Sequence, residues 1–175
     1  MAETAETTKT IPKKNKGVGI FTTITFQKKV HIMFKSVGKN IKDTLRKIIK
    51  DEIEGKCIEH GYIREDSSRI ITYSAGQLIK DKVAFEVMVE CETCKPVEDM
   101  IIKKCLVKNV TKAGIRAEMK TKHKTPFVIF ISRDHQYNSE YFSSIKDNDL
   151  INVKVIGSRF ELNDPYISII AELVE

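Results

Sequence analysis

Residues 40–63 read NIKDTLRKIIKDEIEGKCIEHGYI, and this stretch decides how the chain is organised. Ile41, Leu45, Ile48, Ile49 and Ile53 recur at three- and four-residue steps, while lysines, Arg46 and acids fill the intervening positions. That spacing predicts an amphipathic helix with one buried side. Asn40 stands where an N-cap is expected, and Asp43 lies where a carboxylate meets the free amides and positive end of a helix. Gly55 closes the helix, because a glycine takes positive φ without a steric penalty. Directly beyond it, Cys57, Ile58, Gly61, Tyr62 and Ile63 predict a short strand or tight hairpin that begins as soon as the helix stops.

Upstream, Val30, Ile32 and Phe34 alternate with Lys29, His31, Met33 and Lys35, a strand with one face in a core. His31 falls on the solvated face. Downstream, Arg69 to Tyr73 and Lys82 to Cys91 are strand-like, separated by turn residues at 65–68 and 74–76. In the second of these, Val83, Phe85, Val87 and Val89 alternate cleanly with Ala84, Glu86, Met88 and Glu90. Strand, helix and three antiparallel strands make an α+β unit with the helix on one face of the sheet.

Glu92 to Glu98 holds Thr93, Pro96 and several charges, and is expected to be the hinge to a second unit. Strands are then predicted over 100–110, 115–119 and 127–131, and a hairpin over 150–160 and 166–174 turns at Asn163-Asp164-Pro165. A short helical turn is predicted at Tyr141 to Ile145. Five strands with a short helix between the third and fourth are what a small closed Greek-key barrel of the OB type requires.

The ordered set Gly38, Asp51-Glu52-Ile53-Glu54-Gly55-Lys56-Cys57, Gly61-Tyr62-Ile63, Arg69 to Tyr73 and Val83 to Val89 resembles the N-terminal tip domain of the stalk subunit of multisubunit DNA-directed RNA polymerases. That family comprises the seventh subunit of eukaryotic polymerase II, its nuclear counterparts and the archaeal E-type subunit. In the second unit Val107 to Gly114, Ile115, Phe130-Ile131-Ser132-Arg133-Asp134-His135, Asp147-Asn148-Asp149 and Ile167 to Ala171 resemble the S1 subfamily of OB barrels. Together the resemblance covers roughly residues 20–175. It implies a leader at 1–19, a tip domain at 20–95 and an S1 barrel at 96–175. It further implies docking on the core subunits through Gly55, Cys57, Gly61, Tyr62 and Ile63, and binding of nascent single-stranded RNA on the second and third barrel strands. A small helical partner subunit wedges between the two domains in that family.

Hydrophobic residues make up 41% and charged residues 31% of 175 residues, enough for two small cores under a charged surface. The N-terminal MAETAETTKTIPKKNKG lacks an apolar signal region and reads as a disordered leader. With no apolar run of about 18 residues, no membrane partner is expected, and the expected location is an intracellular site of transcription: the nucleus, or the virion or host cytoplasm for a viral protein. The lysine- and isoleucine-rich composition suits a large DNA virus or a reduced eukaryote.

The net charge of +6 is unevenly placed. Between Met100 and His135, Lys103, Lys104, Lys108, Lys112, Arg116, Lys120, Lys122, Lys124 and Arg133 face only Glu118 and Asp134. Cations that track phosphates, joined by exposed rings on which bases stack, are the chemistry of a single-stranded RNA surface. Because Phe127 and Phe130 are three apart in a strand, at most one faces outward, so Phe130, His135 and Tyr137 are the stacking candidates. The bland alternative is that both phenylalanines pack internally and the lysines form a solvated face.

Cys91 and Cys94 have the spacing of half a zinc site, but no second pair completes it, and free thiols are expected, with no metal and no cofactor. Asp134 and His135 are chain neighbours, which on a strand point to opposite faces and make a poor catalytic dyad. No catalytic residue is assigned. The rival to a polymerase subunit is a free-standing S1-domain RNA-binding protein of translation or RNA decay.

Overall fold

A computed structural model of the chain describes residues 20–119, 125–135 and 140–174. Eleven strands among them form an antiparallel sheet followed by a closed barrel.

The sheet is built around one long strand. β6 (Lys82–Cys94) pairs along its length with β1 (Thr22–Met33) on one side. On its other side it takes β5 (Gln77–Ile79), β4 (Arg69–Tyr73) and β3 (Gly61–Ile63) in turn, and β2 (Cys57–Ile58) pairs with β3. Helix α1 (Ile41–Ile53) lays Leu45, Ile49 and Ile53 against Val30, Ile32, Val83, Phe85, Val87, Val89 and Cys91. The apolar spacing of α1 and the alternation of β6 thus meet as a single core.

Several local expectations are corrected. β1 ends at Met33, and Phe34–Ser36 turn into a 3-10 segment, so Phe34 leaves the core face and is 63% exposed. Asn40 precedes α1, but its side chain makes no capping bond; its carbonyl accepts the N–H of Asp43 at 3.1 Å. Gly55 does take positive φ, at 68°, and its N–H donates to the Ile63 carbonyl. The expected hinge at Glu92 to Glu98 shortens, because β6 continues through Cys94. β5 was absent from the expected strands; three residues after Gly76 are too few to show a period.

The barrel runs β7 (Ile101–Val110), β8 (Gly114–Met119), β9 (Phe127–Ser132), β10 (Leu150–Arg159) and β11 (Ile167–Val174), with α2 (Glu140–Ser144) between β9 and β10. Around its circumference the order is β7-β8-β9-β11-β10, with β10 closing on β7. All neighbours are antiparallel except β9 and β11, which are parallel. This order, with α2 after the third strand, is that of an OB-type barrel. Its interior is Ile102, Cys105, Val107, Ile115, Ala117, Phe127, Ile129, Ile131 and their partners on β10 and β11, all buried.

The two units share side chains. Cys57, Tyr62 and Cys94 are consecutive register partners across β2, β3 and β6, and all three pack into the core that contains the barrel interior. Main chain reinforces the join: the Cys57 N–H donates to the Asp164 carbonyl at 2.8 Å, and the Asn163 N–H to the Cys57 carbonyl at 2.9 Å. Thr93, the buried hydroxyl of β6, donates to the carbonyls of His60 at 2.9 Å and Tyr62 at 3.3 Å. The β2–β3 turn is thereby tied to the end of β6, as buried polar groups require.

Candidate nucleic-acid interface

On β9 the barrel wall alternates, while β8 opens with two consecutive buried residues, Gly114 and Ile115. Phe127, Ile129 and Ile131 point in, so Phe130 points out and is 40% exposed. Its register partner on β8 is Arg116, and its partner on β11 is Ile170, which is 50% exposed. Asn109 on β7 and Gly157 on β10 complete the same row. A guanidinium, a ring and an aliphatic side chain therefore stand side by side across three adjacent strands. Cross-strand partners lie about 5 Å apart, a spacing that suits one flat base against the ring with its phosphate beside the cation.

Gly114 fixes how that ring sits. A Cβ at this position would run into the Ile131 carbonyl oxygen and come within 2.9 Å of the Phe130 ring, so only glycine lets the ring lie across the start of β8. The neighbouring turn is closed by Thr111, whose hydroxyl donates to the Gly114 carbonyl at 2.9 Å. The Arg133 N–H then donates to the Ala113 carbonyl at 3.1 Å, which brings the turn that carries Lys112 to the end of β9. The Arg133 guanidinium lies 5.3 Å from the centroid of the buried Phe142 ring. Lys112, Arg116, Phe130 and Arg133 thus share one end of the wall.

Glu118 sets the electrostatics of the row beside it. Its carboxylate lies 3.4 Å from Arg116 and 3.9 Å from Lys108, so one acid holds two of the predicted cations on the same surface and partly neutralises both. Lys103 and Lys104 sit apart. They occupy a bulge in β7 beyond the Cys105–Met119 rung, with Lys104 at φ 59° and its N–H donating to Asn152 Oδ1 at 3.2 Å. Lys120, Lys122, Lys124 and Tyr137 lie outside the described residues, and of His135 only the backbone is described, at the end of a 3-10 turn. Ile170 was missed by sequence reasoning, although an outward isoleucine between the inward Ile169 and Ala171 is the signal that marks it.

Four of the five residues expected to dock a partner are buried, and Gly55 is half-buried. Cys57 and Ile63 are fully buried, Tyr62 is 2% exposed, and Gly61 has φ 111° with its α-carbon packed so tightly on the Cys94 carbonyl that a Cβ would collide with it. Gly55 bonds back to Ile63. In this arrangement the turn joins sheet to barrel. Beside it lies an open cleft of about 380 Å³, lined by Phe26, Lys28, Glu52, His60, Leu162 and Asn163. Lys28 and Glu52 pair across it at 2.9 Å.

Cys91 and Cys94 occupy different cores, Cys91 under α1 and Cys94 against the barrel. No group of three or more His, Cys, Asp or Glu among the described residues is placed to hold a metal ion. Burial pushes the thiols up, Cys57 to about 11 and Cys91, Cys94 and Cys105 to about 12. Among the described residues, no helix is long and apolar enough to cross a membrane.

The fold and this wall define the class: an OB-type barrel with a mixed aromatic and cationic row, welded to an antiparallel sheet. No protein-family model matches the chain. It is 26% identical over 164 residues to a protein of Acanthamoeba polyphaga mimivirus provisionally named DNA-directed RNA polymerase subunit L376, a match spanning 84% of this chain and 78% of that one.

Proposed function

We propose that the chain is a non-catalytic accessory subunit of a DNA-directed RNA polymerase, of the stalk type, acting at an intracellular site of transcription. Its barrel, of the S1 kind, receives emerging single-stranded RNA on the β8–β9 wall, and its sheet unit attaches it to the core subunits. The observation that carries this reading is the similarity to the mimivirus subunit, which extends over most of the chain and so includes both units. The Arg116–Phe130–Ile170 row supports the RNA-binding part, since a ring flanked by a cation binds bases with little regard to sequence. The cleft beside Phe26 and His60, between sheet and barrel, is where a small helical partner subunit would lodge. The chain binds and guides, and chemistry belongs to the core enzyme.

The same row would serve a free-standing S1-domain RNA-binding protein of translation or RNA decay. Affinity capture of the tagged full-length protein from its native cell or virion separates the two. Recovery of the largest polymerase subunits is expected. Recovery of ribosomal or decay factors without polymerase subunits would overturn the proposal.

A further inference from the structure

The exposed row on the barrel does not stop at Phe130. Its β11 partner Ile170 is 50% exposed, and the residue of β10 that bulges out between the rungs at Ala171 and Ile170 is Ile156, itself 39% exposed. Val155 before it is buried, so the bulge is what turns Ile156 to the outside. Further along β10, opposite Ser168, stands Arg159 with its side chain 85% exposed. Its link to Glu161 at 3.2 Å is a surface pair, worth little in solvent, and leaves the guanidinium within reach of another anion. From Arg116 to Arg159 the outside of the barrel thus carries a cation, a ring, two aliphatic side chains and a second cation in succession.

The shape of this band selects its occupant. It passes over β8, β9, β11 and β10, which is three of the five steps around a closed five-stranded barrel. So tight a cylinder offers a rigid partner one or two of those strands at a time, whereas a flexible single strand follows the curve. The chemistry agrees, since apolar side chains cover base faces that leave water and the cations at either end meet phosphates. The band also has a stop. Residues 96–100 lie against β10, where the Ser158 hydroxyl donates to the Pro96 carbonyl at 3.1 Å and the Asp99 N–H to the Val155 carbonyl at 2.9 Å. Glu98 and Asp99 are exposed there, and Lys154 is held by Asp99 at 2.9 Å and Glu172 at 3.4 Å. That border repels phosphate.

From these observations we infer that single-stranded RNA does not end on the β8–β9 wall but wraps onto β11 and β10, with bases on Ile170 and Ile156 and a phosphate on Arg159, and stops at the acidic border of Glu98 and Asp99. The extension rests on the RNA-binding reading above and adds a second subsite two strands further round the barrel. Neighbouring strands lie about 4.8 Å apart, so the platforms at Phe130 and Ile156 are separated by about 10 Å along the surface. An aliphatic platform accepts any base face, so the subsite adds affinity and length without sequence preference.

The test uses full-length protein and a single-stranded RNA oligonucleotide of about 12 nucleotides, carrying 4-thiouridine at one position at a time. Irradiation followed by mass spectrometry reads which peptide each position touches. Cross-links are expected on the β9 peptide that holds Phe130 and, from a neighbouring position, on the β10 or β11 peptides that hold Ile156 and Ile170. By fluorescence anisotropy, Ile156→Ser/Ile170→Ser should bind about fivefold or more weakly than wild type, and Arg159→Gln should lower the slope of log affinity against log salt by about 0.7. The three side chains are exposed, so melting temperatures should match wild type, and the cross-links depend on no substitution. Cross-links confined to β8 and β9, with the double variant binding within twofold of wild type, would overturn the second subsite and leave the RNA reading standing. Failure of wild type to bind the oligonucleotide would overturn both. A double variant that binds RNA as wild type does but loses polymerase subunits in affinity capture would assign the isoleucines to a protein partner and overturn the inference.

Discussion

Arg116 and Phe130 are register partners on β8 and β9, both facing outward, so the only exposed ring of the described barrel wall on those strands stands next to a fixed cation. Truncating the ring removes the stacking contribution of one base. Phe130→Ala is expected to weaken binding of a single-stranded RNA oligonucleotide by about 1–3 kcal/mol, with little change in salt dependence. Arg116→Ala should instead lower the slope of log affinity against log salt by about 0.7. Fluorescence anisotropy at several salt concentrations reads both, and equal effects of the two variants on slope and affinity would contradict this division of roles.

Glu118 competes with phosphate for Arg116 and Lys108. Glu118→Gln frees both cations and removes a negative charge from the wall, so RNA binding should tighten, most at low salt. A variant that binds more weakly than wild type in the same titration would show that Glu118 positions the cations rather than masking them.

The join between sheet and barrel depends on Tyr62 and Gly61. Tyr62→Ala deletes a ring from the shared core and should cost about 3–5 kcal/mol. Gly61→Ala must hold a side chain at a φ that only glycine adopts readily, against the Cys94 carbonyl, and should cost about 2 kcal/mol or more. Urea denaturation followed by circular dichroism measures each, and a loss below about 1 kcal/mol for Tyr62→Ala would mean the two units are coupled through main chain alone.

Asn40 gives a prediction of the opposite kind. Its side chain makes no capping bond, and only its carbonyl serves the first turn of α1. Asn40→Ala should therefore cost less than about 0.5 kcal/mol, where a bonded cap would cost about 1. The same denaturation experiment decides it.

Burial holds the four thiols protonated well above the 9.0 at which they would otherwise ionise. Below that value folded and unfolded chains carry the same protons on them, and they add no pH dependence. Above it the unfolded chain releases protons that the folded chain keeps, so the stability associated with these groups declines as pH rises from about 9 toward 11 and 12. Urea midpoints should fall over that range, and a thiol-specific disulfide reagent at about pH 8 should label none of the four until denaturant is added. Rapid labelling of the native protein would contradict the burial of these residues.

What could be read from the chain was what depends on local period. The buried stripe of α1 and the alternation of β6 follow from spacing that the structure keeps, because each of these elements has a single apolar side to satisfy; β9, apolar at every position from Phe127 to Ile131, left open which phenylalanine faces outward. Phe34 misled because alternation continued for one residue past the strand, and nothing local distinguishes a strand end from a strand. Tyr62 was legible as buried or docking, but its destination was not, since its partners on the barrel lie some forty to over one hundred residues away. The same limit hid the neighbours of Phe130, since Arg116 and Ile170 meet it only through inter-strand register. The lysines of the barrel, close in sequence, spread along β7, with Lys103 and Lys104 in a bulge beyond the Cys105–Met119 rung and the row itself opposite Asn109.

β6 starts beside Met33 at the apolar end of the sheet and finishes with Cys94 inside the core shared with the barrel. An extended strand has no slack, because its length is fixed by covalent geometry, and bending it would break rungs on both of its sides at once. A displacement at the Met33 end is therefore carried along β6 toward Cys94, and through that residue into the core it shares with the barrel.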